Sequence, residues 1–208
     1  GAEPEEVSSG SAGVQPVDGF RTTEAQLTLT ITARPAFEGA LHVTHVTVNG
    51  SEAAPGTGDQ WQIAMALVPG VNTFTIVAVD NLGNTTTRMI SAWRYEVHYV
   101  APTGTHVYPF TNWMIAATNI QAAIDAAAAE DVVMVNNGVY SEGCRFGGGL
   151  SNRVVITKKI TVMSLAGPDS TTICGSPDPV ATNGLGDGAV RCVYIGAAGA
   201  ILSGFTLT

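Results

Sequence analysis

YVAPTGTHVYPFTNWMIAATNIQAAIDAAAAEDVVMVNNGVY, residues Tyr99 to Tyr140, decides how the second half of this chain is read. It opens on a strand-like YVA, passes through a Pro/Gly loop and enters a helical pattern. Ile120, Ala123, Ile124 and Ala127 recur at i, i+3, i+4 and i+7, one narrow apolar face. Thr118 and Gln121 have capping-box spacing, so a helix is expected over 118–129. Val132 to Val135 is apolar on both faces and too short for a helix, which predicts a buried parallel strand. Asn136-Asn137-Gly138 then turns the chain.

Working outward, VVIT from Val154, ITVMSL from Ile160, TTIC from Thr171, AVRCVYI from Ala189 and AILSGFTLT from Ala200 repeat the same short apolar style. No second helical pattern intervenes. Parallel strands joined by loops rather than helices stack as a solenoid. The one helix is then a cap over the first coil, covering an edge that would otherwise template aggregation.

Upstream, Ala25 to Val97 alternates strictly. AQLTLTITA sets Leu27, Leu29 and Ile31 on one face and threonines on the other. LHVTHVTVNG ends in the turn pair Asn49-Gly50, QWQIAMALVPG faces Trp61, Ile63, Met65 and Leu67 one way, and VNTFTIVAVD faces Phe74, Ile76 and Ala78 inward. Five or more strands at about ten-residue spacing predict a β-sandwich. Residues 1–24, rich in Gly, Ser, Pro and Glu, read as an extended acidic tail, either a solvated linker or a segment packed on its own domain or a neighbouring chain. The expected organisation is tail 1–24, sandwich 25–97 and solenoid 98–208.

Charged residues are 12% of the 208 and the net charge is −8. Nucleic-acid binding needs clustered Lys and Arg, and none cluster here. The same sign disfavours anionic membranes, and no apolar run approaches the ~18 residues of a membrane span. A signal peptide is expected to have been removed or to lie outside this numbering. Three cysteines, Cys144, Cys174 and Cys192, allow one disulfide plus a thiol or three thiols. No Cys/His spacing suggests a metal, and no cofactor is expected.

Val48-Asn49-Gly50, Trp61, Leu67, Gly70, Asn72, Ala78, Asp80, Gly83 and Asn84 resemble a bacterial Ig-like family of surface and glycan-processing proteins. YVAPTGT followed by NIQAAIDAAAAEDVVMVNNGVYSEG resembles the N-terminal signature of pectin-lyase-like right-handed β-helix proteins. Ile120, Gln121, Ala123, Ile124, Ala127, Val133, Val135, Gly138 and Tyr140 fall on its pattern, while Glu130-Asp131 replaces the usual Gly-Asp. The resemblances imply an all-β chain: an Ig-like sandwich, then a short right-handed parallel β-helix with an N-terminal capping helix. In that β-helix family catalytic groups sit on a groove built by later coils, so no catalytic residue is carried over.

The remaining chemistry weighs against a site. Asp178 and Asp187 share the insertion GSPDPVATNGLGDG, where Asp is usually a turn former rather than half of a glycosidase pair. Exposed strand positions account for the histidines; His42 and His45, three apart on one strand, face opposite sides. Trp61 and Trp113 read as core and cap residues. Trp93, Tyr95 and Tyr99 lie at the domain junction and are the candidate ligand-binding aromatics. Asp80 to Asn84 reads as a hairpin turn rather than a calcium loop. Gly147 to Gly149 precede a strand without a following helix, which excludes a phosphate loop.

The expected function is an extracellular or cell-surface structural module, not an enzyme in this span. Self-association is expected through the uncharged coil AILSGFTLT, by Ile201, Leu202, Phe205 and Leu207, or through the tail, with other surface proteins or polysaccharide as further partners. The rivals are the first part of a β-helix polysaccharide lyase or glycoside hydrolase whose catalytic coils lie beyond Thr208, and a glycan-binding module.

Overall fold

The computed structural model describes residues 12–35, 41–181 and 183–208. The chain divides into two compact units, Gly1–Arg94 and Tyr95–Thr208. Among the described residues the first unit holds nine strands: β1 (Ala12–Gln15), β2 (Phe20–Thr22), β3 (Gln26–Ala33), β4 (Val43–Val48), β5 (Ser51–Glu52), β6 (Ala54–Pro55), β7 (Gln60–Ala66), β8 (Gly70–Asp80) and β9 (Thr85–Arg94). They form two sheets, ordered β1-β3-β7-β6 and β2-β9-β8-β4-β5. The alternation dictates this: Leu27, Leu29 and Ile31 of β3 and Phe74, Ile76 and Ala78 of β8 all enter one core, with Val46, Val48 and Ile90. Each of these side chains larger than alanine contributes about 1.5–3 kcal/mol on burial.

Part of the stretch expected as a tail is sheet. β1 runs antiparallel to β3, and β2 runs parallel to β9. Val14 is buried in the core. Asp18 accepts hydrogen bonds from the Ser91 backbone N–H (2.7 Å) and hydroxyl (2.8 Å). The hydroxyl bond is the main cause that holds the Asp18 carboxyl below its usual range. Edge strands need little apolar content, because pairing supplies what packing does not. Residues 1–11 lie outside the described part.

The second unit contains β10 (Val97–Val100), α1 (Ile120–Ala126), β11 (Val132–Val135), β12 (Gly138–Tyr140), β13 (Arg145–Gly147), β14 (Leu150–Ile156), β15 (Thr161–Ser164), β16 (Thr171–Ile173), β17 (Arg191–Ile195), β18 (Ile201–Ser203) and β19 (Thr206–Leu207). Three sheets result, β10-β11-β15-β18, β12-β16-β19 and β13-β14-β17, and apart from the antiparallel β13–β14 hairpin every pairing is parallel. This is a β-helix. Its registers stack like on like: His98, Val133, Val162 and Leu202 form one inward column, and Tyr99, Met134, Met163 and Ser203 form the outward one.

The capping helix is shorter than expected and is capped differently. Asn119 is the N-cap, its side chain accepting from Ala122 N–H at 2.8 Å. Thr118 is occupied by His106 instead. Gln121 reaches away from the helix start, accepting from Val155 N–H (2.7 Å) and donating to Val155 C=O (3.3 Å). Its amide thus bonds the Val155 backbone as a neighbouring strand would, at a residue whose strand partner is Tyr194 of β17, and an orphaned backbone pair would cost more than a helix cap contributes. At the other end Lys158 donates to the carbonyls of Ile124 (2.8 Å), Asp125 (3.1 Å) and Ala127 (2.5 Å), satisfying acceptors that the helix leaves open. Glu130, where the related pattern has Gly, takes φ +73°, a left-handed conformation that glycine adopts without strain.

Candidate functional site

Three places in the second unit bring chemistry-bearing residues together. The first is a hairpin between β10 and α1. Val107 N–H donates to Ile115 C=O (3.1 Å), and Thr105 N–H and hydroxyl both donate to Met114 C=O (3.1 and 2.8 Å). At its tip, Asn112 accepts from the backbone N–H of Met114 and Ile115 (3.0 and 3.1 Å). Phe110 is buried, with His106 and Tyr108 edge-on to it at 5.3 and 6.1 Å. Trp113 packs edge-to-face on Tyr99 with centroids 4.6 Å apart.

Trp113, read from the sequence as a cap residue, lies in this loop ahead of α1. It remains 39% exposed, and in the same loop Tyr108 is 72% and Met114 77% exposed. Of the three junction aromatics, Tyr99 takes part in this cluster. Trp93 closes β9 in the first unit, across from Val71 on β8 and Arg21 on β2. Tyr95 opens the second unit, half-buried.

The second place lies directly beneath. His98, expected at an exposed strand position, is 2% exposed. Its Nδ1 contacts Pro109 C=O at 2.8 Å and its Nε2 contacts Asp131 Oδ2 at 3.3 Å. Asp131, also buried, accepts from Glu96 N–H (2.8 Å, Oδ1) and Ala128 N–H (2.7 Å, Oδ2). One carboxylate so ties the start of β10, the helix exit and, through His98, the hairpin tip. Burying these groups is tolerable only because each is paired. Residues 98 and 131 share no sequence motif, so only the fold shows the pair.

The third place is the outer edge of the stack. β17, β18 and β19 each pair on one side with a strand of the preceding coil and meet no strand on the other among the described residues. Ile201 and Leu207 are 52% and 50% exposed, while Leu202 and Phe205 pack part-buried against the core. Cys192, on the edge strand β17, donates its thiol to Thr208 C=O at 3.1 Å. All three cysteines are free.

Two further acids, Asp178 and Asp80, serve the backbone. Asp178 accepts from Val180 (2.8 Å), Ala181 (3.1 Å) and Gly188 (2.9 Å) N–H groups, closing its own loop. These bonds, Val180's foremost, hold its carboxyl below the usual range. Asp80 accepts from Leu82 and Asn84 N–H (2.9 Å each) and from the Asn84 amide (2.8 Å), a turn rather than an ion loop. The Asn84 amide is the first cause lowering its carboxyl. Gly147, Gly148 and Gly149 make the tight end of the β13–β14 hairpin. A Cβ at Gly148 would enter the Tyr194 ring, which is what this glycine run accommodates. Among the described residues, no group of three or more His, Cys, Asp or Glu is placed to hold a metal ion. No helix there is long and apolar enough to cross a membrane.

No family model matches the chain, and no curated protein matches it. Among solved structures, it is similar to a fibronectin(III)-like module of Clostridium thermocellum CbhA at 14% identity, over 40% of this chain and 96% of that one, with a TM-score of 0.30. It is also similar to the family 28 exopolygalacturonase of Yersinia enterocolitica at 9% identity, over 88% of this chain and 36% of that one, with a TM-score of 0.26. The chain thus spans about a third of the exopolygalacturonase.

Proposed function

We propose that this chain is a structural module of a secreted or cell-surface protein, non-catalytic over this span, which associates through the edge strands β17, β18 and β19. One observation carries the reading. The inward column His98–Val133–Val162–Leu202 is in strict register, and the β18 and β19 edges expose Ile201 and Leu207 with no charged residue, while β17 carries one, Arg191. An uncharged parallel edge of high β-propensity is a template for another strand. The occupant that fits is a layer of parallel strands presenting aliphatic side chains above Leu202 and Phe205, supplied by a second copy of this chain. The structural roles of Asp80, Asp131 and Asp178 support the non-catalytic part of the reading, since each carboxylate already answers two or more backbone N–H groups.

Light scattering across a concentration series tests this. The expected result is a weight-average mass that rises with concentration and returns to the monomer value in Ile201→Lys, which places a charge on the edge. A monodisperse monomer at high concentration overturns it. The rival reading, an opening segment of a polysaccharide lyase or glycoside hydrolase, assigns the same edge to further coils of one polypeptide. A longer chain that is monomeric and cleaves acidic or neutral glycans would establish that reading instead.

A further inference from the structure

We infer that the hairpin tip between β10 and α1 is a binding site for a neutral saccharide, which stacks on Tyr108 and Trp113. No Asp, Glu, Lys or Arg occurs from Val97 to Ile124, so this segment itself carries no formal charge other than what its histidines take up. Yet its apolar side chains point outward: Tyr108, Trp113, Met114 and Val107 are all exposed. Surface loops of ordinary composition do not gather large apolar groups at one tip.

The tip is also held rigidly. Tyr99 N–H donates to Phe110 C=O at 2.7 Å, Ala117 N–H to Tyr99 C=O at 2.9 Å, and buried His98 holds Pro109 C=O. His106 and Phe110 take φ +56° and +65°, where non-glycine residues are strained. Strain maintained by surrounding bonds marks segments whose exact shape matters. A preorganised site loses less entropy on binding.

Size and polarity select the ligand. A stable protein interface takes roughly 20–30 residues a side. This tip offers four large apolar side chains, the scale of a few sugar rings. Tyr and Trp present apolar faces to sugar C–H groups and keep a polar end for hydroxyls. The rim is neutral and hydrogen-bonding: Thr111 and Asn112 are exposed. His106 Nδ1 accepts the Thr118 N–H at 3.0 Å, so the neutral ring carries its proton on Nε2. The segment offers an acidic glycan no Lys or Arg of its own to pair with.

Titration calorimetry and tryptophan fluorescence with cellohexaose, xylohexaose and mannohexaose test the site, with oligogalacturonate as the acidic comparison. At least one neutral hexasaccharide should saturate the protein at sub-millimolar concentration, with affinity insensitive to salt. Tyr108→Ala and Trp113→Ala should each weaken it about tenfold or more, roughly 1.4 kcal/mol. Tyr108 is exposed, so its variant keeps the wild-type melting temperature and carries the test even if Trp113→Ala unfolds. The inference is overturned if no neutral hexasaccharide saturates, or if Tyr108→Ala binds as wild type. Salt-sensitive binding of oligogalacturonate alone also overturns it, as does a Tyr108→Ala variant that changes only the oligomeric state.

Discussion

Replacing Asp131 with alanine should destabilise the second unit by about 3–5 kcal/mol, because it leaves several buried donors without their acceptor. The figure follows from what the carboxylate holds. Glu96 N–H at 2.8 Å, Ala128 N–H at 2.7 Å and the His98 ring at 3.3 Å would all lose their acceptor in a place water does not reach. Each orphaned buried donor costs about 1–3 kcal/mol. Asparagine retains one oxygen, so Asp131→Asn should fall about halfway. Urea unfolding followed by amide resonances of the second unit separates its transition from that of the sandwich. With a slope near 2 kcal/mol/M, a 4 kcal/mol loss lowers the midpoint by about 2 M. His98→Ala should couple to Asp131→Ala by about 1 kcal/mol or more in a double-mutant cycle. A midpoint shift under about 0.5 M at unchanged slope refutes the reasoning, because the carboxylate would then not be the tie between helix exit, β10 and hairpin.

Gly148→Ala should destabilise the β13–β14 hairpin by about 1–3 kcal/mol, since φ is +61° and the new methyl meets Tyr194; Tyr194→Ala should recover the steric part when melting temperatures are compared. Glu130→Gly should change stability by less than about 1 kcal/mol, because relief of φ +73° offsets the added chain entropy and the lost Lys159 ion pair at 2.6 Å, as calorimetry would show. Burial raises the Tyr140 phenol to about 12, above its unfolded value of 10.0. The unfolded chain therefore releases this proton first, and stability should fall as pH rises from 10 to 12. Tyr140→Phe should flatten that fall while losing the 2.9 Å bond to Asn136 C=O. Asp178 has the opposite sign. Its lowered folded value means that its contribution is present above 3.8 and lost as pH falls below it, which amide exchange of the loop at Val180 and Gly188 reads directly.

Much of this fold is legible in the chain because it is written in period. AQLTLTITA has one way to bury Leu27, Leu29 and Ile31, and VVMV buries Val133 and Val135 inward while Val132 and Met134 stay half-buried on its other face. What periodicity cannot show is what long-range pairing decides. β1 and β2 hide in a polar stretch, since an edge strand needs a partner more than a pattern. The Thr118–Gln121 spacing points to a capping box, yet Val155, 34 residues on, competes for the glutamine. His98 and Asp131 meet only because β10 and β11 lie side by side. Only Glu130 departs from the related pattern, and Asp131 keeps its Asp. Glu130 sits where the backbone turns left-handed, and Asp131 is the residue that the turn delivers to His98.

The most direct test of the account is hydrogen exchange at the amides of Ile201–Ser203 as protein concentration rises. Association through the edge predicts that protection of these amides grows with concentration, while β3 and β8 of the sandwich are unchanged and Ile201→Lys abolishes the gain. Protection that stays the same from dilute to concentrated protein would contradict the proposal that β18 receives a second copy of this chain.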